Sequence, residues 1–274
     1  MSRALRWALA ALCAVAYLAP LLWLLAASFR ENAGIFASGL GGVFAAQGWT
    51  LSNYGAAIRR AGLAHAIFVS LAQVAVIGGG GLLVNSLAAF AFARLEFRGR
   101  DLAFSAVVAL IILPVEVLAI PLFFTARDLG LAGSGGQALL ALSLPFVAKA
   151  FNIYYLRQQF LSLPSELEEA ALLDGAGVCR QFWSIALPAI RPALATVVLL
   201  DLLTHWSDFL WPLLMSTRAS THTVQVALAA LFTAPPVDWG AILACAVLST
   251  LPVLAVFGFF QRYVVLSDAR VGIR

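Results

Sequence analysis

The chain has 274 residues, of which 62% are hydrophobic and 11% charged, and its mean hydropathy is +0.95. Soluble globular domains are about 45–50% apolar and about 25% charged, so this excess of apolar side chains excludes a single soluble core and indicates membrane-spanning helices. The net charge of +4 does not indicate nucleic-acid binding, because the basic residues are scattered at the ends of apolar runs.

Six apolar runs follow one another along the chain, and a helix that crosses the hydrocarbon core needs about 20 such residues. The first run has no charged residue and is longer than the apolar core of about 7–15 residues of a signal peptide, so we interpret it as an uncleaved span. The predicted spans are residues 7–29, 66–93, 102–126, 137–156, 192–215 and 239–260.

The segments between the spans are more polar. Residues 30–65 are expected outside the cell, with a short helix near 54–60. The four consecutive glycines at 78–81, inside the second span, are not followed by the Lys-Ser/Thr of a phosphate-binding loop. Glycines in such a helix instead predict the close approach of another helix.

The basic residues predict the orientation of the chain. With the N-terminus in the cytosol, eleven Arg residues lie on the inner side and five on the outer side, as the positive-inside rule requires. Lys149 lies within a span. Both termini are therefore predicted to be cytosolic.

The three cysteines, Cys13, Cys179 and Cys245, do not form a cluster with metal-ligand spacing, so no metal site is predicted. We expect them to be small buried residues.

A polar stretch, residues 163–192, separates the fourth and fifth spans, and we call it the elbow. Pro164 is expected to end the arriving helix, and Ser165 to form a capping box with Glu168 at the start of a new one. That helix would stop at Asp174-Gly175, and a second short helix would cover residues 178–185. The local pattern alone favours an ordinary helical loop.

Longer matches give the elbow a more specific interpretation. Its segments Glu169-Ala170-Ala171 and Asp174-Gly175-Ala176, followed by Ile185, Leu187 and Pro188, resemble the EAA loop of binding-protein-dependent ABC importer permeases. Residues 85–100, 120–122, 130–131 and 206–212 are similar to the carbohydrate branch, which includes the second maltose permease and its glycerol-3-phosphate relative. The likeness is clearest over residues 66–262, whereas the C-terminal tail departs from the family's Gly-rich basic ending.

The resemblance implies an all-α membrane protein with the type I importer permease fold: a first helix and outer loop at 1–65, a permease core at 66–262 and a cytosolic tail at 263–274. It implies a transport subunit of the prokaryotic inner membrane, not an enzyme, with no cofactor of its own. Its partners would be a second permease, an ATPase dimer that uses ATP and Mg²⁺, and an extracytoplasmic solute-binding protein. The cargo would be a sugar, polyol or sugar phosphate. The residues implied to dock the ATPase are Glu168, Glu169, Ala170, Ala171, Asp174 and Gly175. Consistently, the chain has no G-x-x-x-x-G-K-[ST] motif.

Ionisable residues inside spans are expensive and usually face a cavity or a partner. Asp201, His205 and Asp208 have spacings that place them on one helix face, and with Trp206 and Trp211 they suit a path for sugars. The alternative is that these residues tie helices together, or that Asp208 lies at the outer boundary.

Two further charges lie within predicted spans. Glu116 could also face the solute path, and Lys149 could pair with an intramembrane acid or extend to the boundary.

Two other functions are weighed against the importer. An ion- or proton-coupled carrier could use the same acids as a relay, but it gives the elbow no role. A membrane-embedded enzyme is least favoured, because His65, His205 and His222 are scattered and no H-E-x-x-H or G-x-S-x-G motif is present.

Overall fold

The computed structural model describes residues 3–36, 39–45, 47–131 and 136–271, with the backbone alone at residues 40, 41 and 262–271. Within them the protein is helical, and an isolated bridge joins Arg30 to Trp49. The α-helices are α1 (Arg3–Ser28), α2 (Asn32–Ile35), α3 (Ser52–Arg60), α4 (Leu63–Arg94), α5 (Arg100–Leu110), α6 (Val115–Asp128), α7 (Gly136–Ser143), α8 (Ala150–Leu161), α9 (Glu166–Leu173), α10 (Val178–Gln181), α11 (Leu187–Ala189), α12 (Arg191–Trp206), α13 (Leu210–Met215), α14 (Val224–Thr233) and α15 (Trp239–Val271). Three 3₁₀ segments (Gly39–Phe44, Leu144–Phe146 and Ala219–Thr221) and one π-helical turn (Phe182–Ala186) complete the helical elements.

Three helices of the described chain are long and apolar enough to cross a membrane: α1, α4 and the Trp239–Gln261 part of α15. Three bent pairs also pass this test, namely α5 with α6, Gly136–Phe146 with α8, and Val178–Ala189 with α12. Counting each pair as one crossing raises the number to six, which is consistent with the predicted number of spans. The all-α membrane class is confirmed.

The third, fourth and fifth spans are not the single helices that were predicted, and the fifth, residues 192–215, is divided between α12 and α13. α5 and α6 meet at 102° around Pro114, and the two halves of the fourth span meet at 54°. Proline lacks an N–H and disfavours helical angles in the residue before it, so Pro114 ends the hydrogen-bond ladder. Pro145 lies in the short 3₁₀ segment that closes the first half of the fourth span. Broken spans leave backbone groups that other side chains must satisfy.

Contacts divide the chain into two compact units, each considered by itself. The first comprises Met1–Phe68 and His222–Pro252, and the second comprises Val69–Thr221 and Val253–Arg274. The domain boundaries proposed from the sequence stay a prediction.

In the first unit, Asp238 gathers several partners at the start of α15. Its carboxylate accepts hydrogen bonds from Asn32 Nδ2 at 2.9 Å, Arg60 Nη1 at 3.0 Å and the Ala241 N–H at 3.0 Å. α3 confirms the predicted short helix near residues 54–60, whereas α14 lies in a segment that was predicted to be a polar connection.

The second unit contains the elbow and two apolar cores. One core packs α4, α8, α12 and the π-helical turn together, and Phe90 lies 5.5 Å from Phe160 and 5.2 Å from Phe182 between ring centres. The other core contains Phe146 and Trp211, whose rings meet edge to face at 5.8 Å. The elbow is thus joined to the spans through a continuous apolar contact.

Two of the four glycines of α4 sit where another segment comes close, although that segment is the break in the fourth span and not the helix that was predicted. A Cβ added at Gly81 would lie 3.2 Å from Val147 O, and one at Gly80 would lie 3.3 Å from Val147 Cγ1. At residues 78 and 79 a Cβ would meet nothing within 4 Å. Two of the four glycines therefore make room for the break in the fourth span.

Two of the three cysteines are exposed, Cys13 on α1 and Cys179 on α10, while Cys245 is buried. The expectation that all three are buried is wrong for the first two, because α1 packs few neighbours along its length and α10 lies on the elbow's surface.

Candidate functional site

The elbow follows α8 and contains α9, the short helix that carries the acidic residues. α9 ends at Leu173, and Gly175, just beyond the C-cap residue Asp174, has the left-handed φ of +72°. The Gly175 N–H donates to Leu172 O at 3.0 Å. The Ala176 N–H donates to Ala171 O at 2.9 Å. Together these bonds form a Schellman motif, which satisfies carbonyls left free at the helix end. The predicted glycine stop is confirmed.

The start of α9 differs from the prediction. Ser165 has helical backbone angles (φ −66°, ψ −25°), and its side chain makes no capping hydrogen bond. An N-cap residue usually has an extended backbone, which lets its side chain reach the first N–H groups. The Ser165 carbonyl instead accepts the N–H groups of Glu168 and Glu169, both at 3.0 Å. The predicted capping box is therefore wrong.

The Glu168 carboxylate pairs with Arg94 at the end of α4. Glu168 Oε1 lies 2.8 Å from Arg94 Nε, and the two side chains are only 18% and 15% exposed. Arg94 Nη2 also donates to Phe160 O at 2.8 Å and to Leu163 O at 2.9 Å. One guanidinium therefore connects α4, the end of α8 and α9.

Burial divides the residues that the EAA resemblance implied into two groups. Glu169, Ala170, Asp174 and Gly175 are exposed, whereas Ala171 is buried and Glu168 is half-buried. The exposed group lies beside Leu172 and Leu173, which are 62% and 90% exposed. Leu172 and Leu173 therefore form an exposed apolar patch beside the acids of α9. Leu172 and Leu173 were not predicted to be exposed, because leucines in a short helix are usually found on its buried face.

The second short helix of the elbow is longer than predicted. It runs through α10, the π-helical turn and α11 to Ala189. Gln181 Nε2 donates to Ala176 O at 2.8 Å, which ties this segment to the end of α9. The chain then bends by 75° into α12.

Lys149 has an intramembrane acid as its partner, which was one of the two possibilities left open by the sequence. Its Nζ lies 2.7 Å from Asp201 Oδ1, and the Asp201 side chain is 1% exposed. The other carboxylate oxygen accepts a hydrogen bond from Asn152 Nδ2 at 2.9 Å. Both oxygens of Asp201 are thus engaged by α8 and the residue that precedes it.

Asn85 of α4 contacts the same break, and sequence reasoning did not single it out. The Lys149 N–H donates to Asn85 Oδ1 at 2.9 Å, and Asn85 Nδ2 donates to Val147 O at 3.1 Å. Asn85 is fully buried. A polar side chain inside a predicted span was the available signal.

Asp208 does not share a helix face with Asp201 and His205, contrary to the prediction. α12 ends at Trp206, so Asp208 lies beyond the helix. His205 and Trp206 are buried, and the His205 ring lies 4.9 Å from the Phe146 ring.

Asp208 and Glu116 come together at a cavity in the second unit. Its aromatic lining residues are Phe146 and Trp211, and its aliphatic ones are Val115, Ala119, Leu122 and Leu210. Of the five residues predicted for a solute path, these two carboxylates line this cavity, while Asp201, His205 and Trp206 are buried away from solvent.

Comparison with known families now decides the class. The family of binding-protein-dependent transport system inner membrane components matches residues 81–267. The chain belongs to this family.

Curated relatives agree with this assignment. The permease is 32% identical over 249 residues to the arabinooligosaccharides transport system permease protein of Halalkalibacterium halodurans, covering 89% of this chain and 86% of the relative. It is 31% identical over 265 residues to the diacetylchitobiose uptake system permease protein of Streptomyces coelicolor, covering 94% and 85%. It is 32% identical over 201 residues to the sn-glycerol-3-phosphate transport system permease protein of Yersinia enterocolitica, covering 73% and 70%.

A solved structure confirms the fold. The permease superimposes with a TM-score of 0.80 on a chain of a bacterial ABC transporter involved in import of the acidic polysaccharide alginate, covering 96% of this chain and 98% of that chain at 23% identity. Family membership makes the protein an inner-membrane transport component and not an enzyme. The EAA motif in its elbow is typical of that family.

Proposed function

We propose that this permease is the membrane subunit of an ATP-driven sugar importer, and that α9 is the surface on which a separate ATPase acts. The observation that carries the proposal is the exposed side of α9, which presents Glu169, Ala170 and Asp174 next to two exposed leucines. Such a surface suits a cleft in another protein, with apolar contact at its centre and charge at its rim.

Both ends of α9 are held by the rest of the permease, so a displacement of α9 would be passed on to other helices. Gly175 fixes its end through the Schellman motif, and Arg94 fixes its start through Glu168. The apolar core around Phe90 then continues from the elbow into α4, α8 and α12. A displacement of α9 would therefore move these helices together, because packed interiors deform little. Alternating access of the solute site would follow from that movement.

A sugar cargo is favoured by the relatives. The printed names of two relatives specify arabinooligosaccharides and diacetylchitobiose. In this permease, the Glu116 and Asp208 carboxylates line one small cavity and can accept hydrogen bonds from hydroxyls. Polyol phosphates remain a second cargo class because of the glycerol-3-phosphate relative.

The proposal assigns the remaining roles to other chains. An ATPase dimer would bind ATP and Mg²⁺, a second permease would complete the path, and an extracytoplasmic binding protein would deliver the solute. Both termini and the elbow would face the cytosol, with residues 66–262 as the permease core.

Reconstitution tests the function. The complete complex in proteoliposomes should accumulate at least one of arabinobiose, diacetylchitobiose, lactose or glycerol 3-phosphate when ATP is supplied with the ATPase. Uptake should continue after ionophores collapse the ion gradients. Accumulation that follows the ion gradient and needs no ATPase would replace the importer with an ion-coupled carrier.

A further inference from the structure

The break in the fourth span exposes backbone groups in a segment expected within the bilayer. Between the 3₁₀ segment that ends at Phe146 and the start of α8, the helical ladder is interrupted. Each unpaired N–H or C=O in lipid costs several kcal/mol, so an interruption persists only where other groups satisfy it.

α4 provides these groups from two side-chain amides. Asn85 bonds both sides of the break, accepting from the Lys149 N–H and donating to Val147 O. Gln73 Nε2 donates to Leu142 O at 3.2 Å, near the end of α7. The Asn85 contact is bidentate, so it fixes the direction of the backbone as well as its position.

The glycine at position 81 makes this approach possible. It lies about one turn before Asn85 on α4, and a Cβ there would come within 3.2 Å of Val147 O and 3.3 Å of Asn85 Nδ2. Any side chain would push the break away from the amide. Gly81 and Asn85 therefore act together: the glycine lets the break come close, and the amide bonds it.

The charge pair holds the other side of the break. Lys149 is the residue before α8, and Asn152 lies in the first turn of that helix. Both donate to Asp201, at 2.7 Å and 2.9 Å. A carboxylate at this end of a helix is also favoured by the helix dipole. Asp201 therefore fixes the start of α8 to α12.

We infer that Asn85, Lys149 and Asp201 are positioning residues that hold the break at one angle, and that Asp201 serves transport in this way and not as a solute contact. We call these three residues the hinge clamp. The inference rests on the proposed function, because α8 leads from the clamp to α9, and Arg94 ties the two helices at their junction. A fixed angle carries a displacement of α9 past the break, whereas a loose one absorbs it.

The angle can be measured directly with spin labels. Leu140 on α7 and Leu161 on α8 are both exposed and lie on the two sides of the break. We would label Leu140→Cys and Leu161→Cys in the assembled complex, with the three native cysteines replaced by alanine. The unaltered clamp should give one narrow distance distribution. Asn85→Ala and Asp201→Asn should each broaden it or add a second distance.

The second readout is the coupling of uptake to ATP hydrolysis. It distinguishes a positioning role of these residues from a role in folding alone. Solute accumulated per ATP hydrolysed should fall about tenfold in Asn85→Ala and Asp201→Asn, within the range by which residues between two sites alter their coupling. The apparent affinity for the transported probe, taken from the four solutes above, should stay unchanged. Lys149→Met with Asp201→Asn removes both charges, so it should restore membrane abundance but not the ratio.

The matched control is Asp101→Asn. Asp101 pairs with Arg100 at 3.1 Å, but its side chain is 84% exposed, so neither readout should change. A narrow distance distribution together with a normal ratio of solute accumulated to ATP hydrolysed in Asn85→Ala and Asp201→Asn would overturn the inference. So would a change in apparent solute affinity without a change in the ratio, which would return Asp201 to the solute path.

Failure of the inference differs from failure of the proposed function. If the unaltered complex accumulates none of the four probes, the sugar importer proposal fails, while the spin-label distances still decide whether the clamp holds the break. If Asn85→Ala does not accumulate in the membrane, the charge-neutral double variant supplies the decisive distance, because it leaves no buried charge unpaired.

Discussion

Two neighbouring acids in α9 have different environments, although the family resemblance treats them alike. Glu168 turns inward to Arg94, and Glu169 is exposed. Arg94 combines the ion pair to Glu168 with two hydrogen bonds from Nη2 to Phe160 O and Leu163 O, and these hydrogen bonds fix the direction of its guanidinium. No local pattern could predict this pairing, because Arg94 lies far away in the chain and meets Glu168 only through the packing of α4 against α8.

The first prediction compares matched substitutions at these two acids. Glu168→Gln should lower the free energy of unfolding of the permease by about 1–3 kcal/mol, because it leaves a largely buried guanidinium without its counter-charge. Glu169→Gln should leave that free energy unchanged but reduce the amount of ATPase that copurifies. Thermal unfolding in detergent and quantitative pull-down measure the two effects. The opposite assignment of effects would place Glu168 on the docking surface.

At the scale of elements, the sequence predicted best where the signals are local. The glycine stop of α9 and the short α3 follow from neighbouring residues and are confirmed. The bends at Pro114 and near Pro145 were missed, because proline is tolerated in membrane helices when other groups satisfy the backbone. Whether such groups exist, as Asn85 does for the fourth span, depends on a distant helix and cannot be read from the span itself.

The second prediction concerns the end of α9. Gly175→Ala should cost about 1–2 kcal/mol, the penalty for an L-residue in the left-handed region, and should misdirect α9 without creating a clash. The added Cβ meets nothing within 4 Å, so the protein should still reach the membrane. Uptake per ATP should fall, as measured in proteoliposomes.

Gly177→Ala is the control for that substitution. A Cβ at Gly177 also meets nothing within 4 Å, but its φ is −69°, which any residue adopts. Normal transport is therefore expected. Equal losses at both positions would show that the left-handed turn is not what matters.

For the whole molecule, composition and charge were enough to predict a helical membrane protein, and the elbow motif was enough to predict its family. Composition, charge and the motif could not predict which intramembrane charges form ion pairs. Lys149 had several acids as possible partners, and only the packing of α8 against α12 selects Asp201. The orientation of the whole chain stays a prediction based on eleven inner and five outer arginines.

The last prediction tests that orientation with the chain's own exposed thiol. In a Cys13→Ala variant, Cys179 of the elbow is exposed and Cys245 is buried, so a membrane-impermeant maleimide should react at Cys179. The reaction should occur in inside-out vesicles and not in intact spheroplasts, because the elbow is predicted to face the cytosol. Leu51→Cys, at a 73% exposed position of the loop predicted to lie outside and in a background without native cysteines, should show the reverse pattern. Labelling of Cys179 from outside would place α9 beyond the reach of a cytosolic ATPase, and the coupling role of the elbow would then be wrong.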